Sequence, residues 1–102
     1  MPPPDVQSTA GVAPCFSLGR VVATPAALAA LIVANVSPHT LLDRHARSDW
    51  GDLDDHDRQE NERALADMTR LLSAYRLPDG SKLWIITEAD RSATTLLLPD
   101  EY

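Results

Sequence analysis

Proline placement constrains this chain more than any other feature. Proline fixes φ near −65° and has no N–H to donate, so inside a helix or a central strand it breaks the hydrogen-bond ladder. Four of the eight prolines, Pro2, Pro3, Pro4 and Pro14, fall in the first 14 residues. The other four are spread along the rest. Thr24-Pro25 and Ser37-Pro38 each place a hydroxyl before a proline. That order suits a helix start, because the N-cap oxygen accepts an orphan N–H and proline at N1 has none to satisfy. Pro78 opens the turn Pro78-Asp79-Gly80-Ser81, and Pro99 follows the last apolar run. Every proline after residue 14 therefore marks an element boundary.

The intervals between these boundaries can be read by period. Residues 1–14, rich in Pro, Ser, Thr and Ala without periodicity, read as a flexible tail. Residues 15–102 are enough for one small core. Residues 16–22 read as a short strand with a bulge at Gly19. A helix over 25–35 would place Leu28, Leu31, Ile32 and Val36 on one stripe, and a second over 38–49 groups Leu41, Leu42, His45 and Ala46. Gly51 breaks the chain. Asp52 or Asp54 then caps a third helix to about residue 69, with its core stripe at Ala64, Leu65, Met68 and Leu72.

Beyond Arg70 the period shortens. Residues 71–77, 82–88 and 93–98 read as a three-strand meander, turning at 78–81 and 89–92. The expected architecture is α+β, with three helices packed on one face of a three- or four-stranded antiparallel sheet. Leu83, Ile85 and Thr87 share one face; Trp84, Ile86 and Glu88 share the other. Three helices cover only one face, so the second is expected to meet a partner protein or a sister subunit in a homodimer.

Several function classes lose support at once. The longest run without a polar residue, Ala26 to Ala34, is far shorter than the roughly 18 residues that span a bilayer. No charged and apolar leader pattern opens the sequence, and Cys15 is the only cysteine, so a cytoplasmic location is expected. Cys15 has no basic or histidine neighbour in sequence and reads as a small apolar residue. The four glycines are not clustered, there is no serine elbow and no paired CxxC, and no cofactor is expected.

The densest polar stretch runs from Arg44 to Asp57. Asp52, Asp54 and Asp57 have loop-like ligand spacing, but a calcium loop starting at Asp52 would need glycine at Asp57 and glutamate at Arg63. His45 and Asp49, four residues apart, lack a second His or Cys to complete a transition-metal site. These aspartates read better as helix-start residues complementing the macrodipole, and no metal is expected. His45, in line with Leu41 and Leu42, reads as a hydrogen-bonded spacer holding the Trp50-Gly51 turn, with acid–base duty as the sharper alternative. Trp50 reads as a lid on the core or, if exposed, as a partner anchor.

Charge sharpens the choice. The net charge is −6, which disfavours nucleic-acid binding. Residues 49–62 hold seven acids and one base, Arg58, while the other eight acids and eight bases cancel. This run reads as a solvated helix face or as a recognition surface for a protein with a basic surface. The expected partner-binding residues are Asp49, Trp50, Asp52, Asp54, Asp55, Asp57, Glu60 and Trp84.

Two resemblances add to this reading. The strings Phe16-Ser17-Leu18-Gly19-Arg20-Val21-Val22-Ala23-Thr24-Pro25, Arg44-His45 through Asp49-Trp50-Gly51-Asp52-Leu53, Leu83 through Ser92 and Leu97-Leu98-Pro99-Asp100-Glu101-Tyr102 are similar to a small family of bacterial proteins carried on plasmids and integrative elements, labelled plasmid-related. That family has glycine where this chain has Ser48. The resemblance brings no established activity; it implies an accessory or anti-defence role on a mobile element. More faintly, Arg70-Leu71-Leu72-Ser73, the 83–87 strand and Ala93-Thr94-Thr95 resemble the closing strands of barnase-like ribonucleases, with Arg70 at a phosphate-binding position. The histidine and glutamate of that family have no counterparts here. A nuclease-like enzyme would instead need Arg70, Arg91 and His45 to converge in one pocket.

Overall fold

Each hydroxyl-proline pair starts a helix. A computed structural model describes residues 14–102; the expected tail over 1–14 lies outside it apart from Pro14. Strand β1 (Arg20–Ala23) leads into helix α1 (Pro25–Ala34), α2 (Pro38–Ala46), α3 (Asp55–Asp67), β2 (Leu71–Arg76), β3 (Lys82–Thr87) and β4 (Ala93–Leu97), and the 3₁₀ turn Pro99–Glu101 follows. The Thr24 hydroxyl accepts from the Ala27 N–H at 3.0 Å and the Ser37 hydroxyl from the His39 N–H at 3.2 Å. Asp54, not Asp52, caps α3 by accepting from Asp57 N–H at 2.8 Å. Pro25 and Pro38 occupy the first helical turn behind their caps.

The fold is α+β, with the three helices and a four-stranded sheet in the order β1-β4-β3-β2. β2, β3 and β4 form the antiparallel meander, but β1 runs parallel to β4, with Val22 beside Thr95. The sheet is therefore mixed rather than purely antiparallel. Strand direction leaves no trace in an alternating pattern; here it follows from the long helical connection, which returns the chain to the far edge of the sheet.

One sheet face carries Leu71, Ser73, Tyr75, Leu83, Ile85, Thr87, Thr94 and Leu96, each with at most 1% of its surface exposed. Ala27 and Leu31 of α1 and Leu41 and Leu42 of α2 close the core against it. On the opposite face the chain supplies part of its own cover. Tyr102 packs edge-on to Trp84 at 5.7 Å between ring centroids and accepts a hydrogen bond from Arg70 at 2.6 Å. Trp84 is half-buried, and Ile86 and Leu97 are buried.

Three expectations are corrected. α1 buries Ala27 and Leu31 but leaves Leu28 and Ile32 exposed, because its alanine side, with Ala30 and Ala34 also on the core, permits the closer approach to the sheet. α3 stops at Asp67 because Met68 turns into the left-handed region (φ 57°), so Met68 points to solvent instead of extending the core stripe. β1 begins only at Arg20. Gly19 (φ 63°) is not a bulge but a close approach, where a Cβ would lie 2.4 Å from the Ser92 carbonyl oxygen.

Candidate functional site

A buried polar chain crosses the centre of the molecule. His45 of α2 has no exposed surface. Its Nδ1 lies 2.5 Å from Ser73 Oγ on β2 and its Nε2 2.9 Å from Thr87 Oγ1 on β3. Thr87 Oγ1 is 2.7 Å from Thr94 Oγ1 on β4, which donates to the Leu18 carbonyl at 2.7 Å. Directions follow from counting hydrogens. Thr94 spends its only O–H on Leu18, so Thr87 donates to Thr94 and His45 Nε2–H donates to Thr87. Nδ1 is then the bare nitrogen, accepting from Ser73.

His45 is thus a neutral imidazole pinning one helix to three strands. The rings of Phe16 and Trp50 pack edge-on to it at 5.2 and 5.7 Å. Burial, reinforced by the Arg91 charge, lowers its pKa from 6.5 to about 4. It is a spacer, as its stripe position suggests, but it holds the sheet rather than the Trp50-Gly51 turn. With no exposed surface it offers a substrate no access for acid–base chemistry.

Arg91 and Arg70 do not join it in a pocket. Arg91, only 9% exposed, donates to the carbonyls of Ala64, Thr69, Glu88 and Ala89 at 2.6–3.1 Å. It ties the end of α3 to the β3–β4 turn, itself holding φ at 60°. Arg70 lies on the surface, bonded to Tyr102 and 3.6 Å from Glu88. The three side chains of the nuclease-like arrangement are therefore committed to separate structural contacts.

The acidic stretch divides into engaged and solvent-facing members. Trp50 is 2% exposed and donates from its indole nitrogen to Glu62 at 2.8 Å. It is a core lid, and burial removes it as a surface anchor. Asp49 takes a two-point contact from Arg44 at 2.7 and 3.2 Å, which holds its carboxyl below the usual range. Asp54 is the cap of α3. Glu60 pairs with Arg63, and Asp52 lies 3.9 Å from Arg76. The one base inside the run, Arg58, turns back to the carbonyls of Leu53 and Gly51. Asp55 and Asp57 are exposed and make no ion pair among the described residues.

An open cleft of about 470 Å³ borders this stretch, lined by Arg44, Gly51, Asp52, Tyr75, Arg76, Leu77 and Pro78. Arg44 sits over the Tyr75 ring, 4.7 Å from its centroid, and the Tyr75 hydroxyl donates to the Asp49 carbonyl at 2.6 Å. Its guanidinium is already neutralised by Asp49. Among the described residues no three His, Cys, Asp or Glu side chains gather where a metal ion could sit, and no single helix is long and apolar enough to cross a membrane. Cys15 is exposed.

No protein-family model, curated protein or solved structure matches this chain. Its candidate site therefore rests on its own geometry. Ser73, Thr87 and Thr94 escape sequence reading because hydroxyls at alternate strand positions carry the same pattern on a wet face as on a dry one. Asn61 is missed for a related reason. It stands among charged residues, yet it is 5% exposed and locks onto β2.

Proposed function

We propose that this chain is a non-enzymatic accessory protein that binds a protein partner with a basic surface. The observation that carries this reading is the outward acidic side around the start of α3. Asp52, Asp55, Asp57 and Glu60 are exposed there, and the only base within residues 49–62 is turned back onto backbone carbonyls. Such a surface speeds encounter with a cationic partner and repels nucleic acid. Commitment of His45, Arg70 and Arg91 to structural contacts favours binding over catalysis. Resemblance to plasmid-related proteins supplies the setting, a mobile-element accessory with an anti-defence or regulatory role in the cytoplasm. Asp49 and Asp54 belong to the scaffold of this surface, since one holds Arg44 and the other caps the helix. Trp84, half-buried under Tyr102, contributes at most a rim.

Affinity capture from the native host, comparing the wild type with Asp55→Lys/Asp57→Lys, tests the reading. The partner should dissociate as salt is raised and be lost with the charge-reversed pair, while circular dichroism stays native. Asp54 is left intact because its loss would unwind the helix start. If every captured partner stays on the doubly reversed variant, the acidic surface is not the binding site.

A further inference from the structure

The two edges of the sheet are finished differently. On β2, alternate residues point their backbone groups outward, and two of the three are filled. The Asn61 side chain bonds both the N–H and the carbonyl of Leu72. Ala74 exchanges backbone bonds with Trp50 and Asp52. Covering an edge in this way is how native sheets avoid pairing with other chains. On β1, Arg20 and Val22 face β4, as the Arg20 N–H to Ser92 and Thr24 N–H to Leu96 bonds require. Val21 and Ala23 therefore point their N–H and carbonyl groups outward, and no described residue bonds them.

Around this edge the surface is apolar. Val21 is 44% exposed and Val22 38%, and α1, one residue further on, exposes Leu28 (42%), Ile32 (78%) and Val33 (77%). α1 contains no polar residue on any side. A helix apolar all round normally has neighbours all round. From Cys15 to Leu42 there is no acid, and Arg20 is the only Lys or Arg, so two copies can approach here without the repulsion their net charge would impose elsewhere.

We propose that two copies of this chain associate through β1 and α1, pairing their β1 edges antiparallel about a two-fold axis at Val22. In that register Val21 of each copy exchanges two hydrogen bonds with Ala23 of the other, and the two Val22 side chains meet. The same register sets Arg20 opposite Thr24 of the second copy. Thr24 donates to Glu101 at 2.7 Å, so each Arg20, which has no ion pair among the described residues, approaches a carboxylate. Charge complementarity thus selects a second copy, in this register, over an unrelated apolar partner. Strand pairing at β1, widened by the apolar surface of α1, is the kind of seam that has to reach the roughly 1,200 Å² at which stable interfaces begin. The result is a continuous eight-stranded sheet with the acidic surface of each copy away from the seam.

Sedimentation velocity up to the high-micromolar range, run on the wild type, Ile32→Glu and Arg20→Glu, decides the matter. The wild type should be a dimer. Ile32→Glu, at an exposed position that leaves the monomer fold intact, should weaken association by roughly 100-fold. Arg20→Glu should weaken it most at low salt. Hydrogen exchange at the Val21 and Ala23 amides should be slow in the dimer and fast in Ile32→Glu. A wild type that stays monomeric, whether or not it binds phosphatidylcholine vesicles, overturns the proposal, as does a dimer that Ile32→Glu leaves unchanged. Asp55→Lys/Asp57→Lys should dimerise normally, which keeps this result separate from that of partner capture.

Discussion

Asn61 grips the backbone of Leu72 with both ends of its amide. Nδ2 donates to the Leu72 carbonyl at 2.6 Å, and Oδ1 accepts from the Leu72 N–H at 3.1 Å. One helix side chain thereby imitates a neighbouring strand and joins α3 to the edge of β2.

Asn61→Ala should destabilise the fold by about 2–3 kcal/mol, since two half-buried backbone groups lose their partner together. Asn61→Asp keeps the acceptor but turns a carboxylate oxygen toward the Leu72 carbonyl. It should be comparably unstable at neutral pH and recover as the carboxyl protonates. Urea unfolding of the three proteins at two pH values measures both effects. A change below about 0.5 kcal/mol for Asn61→Ala would leave the grip without energetic weight.

Ser48 stands in the left-handed region (φ 66°), and its buried Oγ has no hydrogen-bond partner among the described residues. Glycine relieves both penalties, so Ser48→Gly should raise stability by on the order of 1 kcal/mol. Thermal unfolding reads the gain as a rise of several degrees for a domain of this size. Ser48→Ala, which removes only the hydroxyl, should recover a smaller part; equal gains from both would show that backbone strain contributes nothing.

The buried imidazole predicts an acid-sensitive fold. His45 is neutral when folded, with a pKa lowered by burial and then by Arg91 to about 4, against 6.5 when unfolded. The unfolded chain therefore binds the extra proton between those values. The contribution is complete above about pH 6.5 and is lost as pH falls toward 4, about 3 kcal/mol in all. Asp49, held low first by its bond to Arg44, adds a loss only below the carboxylate range, so the two windows separate. Denaturant titrations should show wild-type stability falling by about 2 kcal/mol from pH 7 to 5. His45→Gln should be weaker at pH 7 and flatter over the same interval. An unchanged slope would mean that another group takes up the proton.

Much of the fold was legible because its signals are local. Thr24-Pro25, Ser37-Pro38, Asp54 and the Pro78-Gly80 turn act through hydrogen bonds that close within four residues, so the sequence shows both the cause and the place. The facing of β3 was legible too, through alternation at Leu83, Ile85 and Thr87. Within the candidate site the acidic run was plain from charge alone, but which acids stay in solvent was not.

Local signals along the chain set where α1 and α2 begin, the antiparallel β2–β4 meander, the burial of Leu41, Leu42, His45 and Ala46, and the confinement of net charge to 49–62. Long-range packing settled that β1 lies parallel to β4, that α1 turns its alanine side inward, that Trp50 is a lid, and that His45 closes a chain of hydroxyls. It also showed Asn61 and the Trp50–Asp52 segment covering most of one sheet edge, while no described residue bonds the outward groups of β1. The division has one physical cause. Local elements are selected by torsion preferences and short-range hydrogen bonds. Their relative direction and facing depend on packing between residues 28 to 77 positions apart, as in His45–Ser73 and Thr24–Glu101, and such packing leaves no mark on the chain between them.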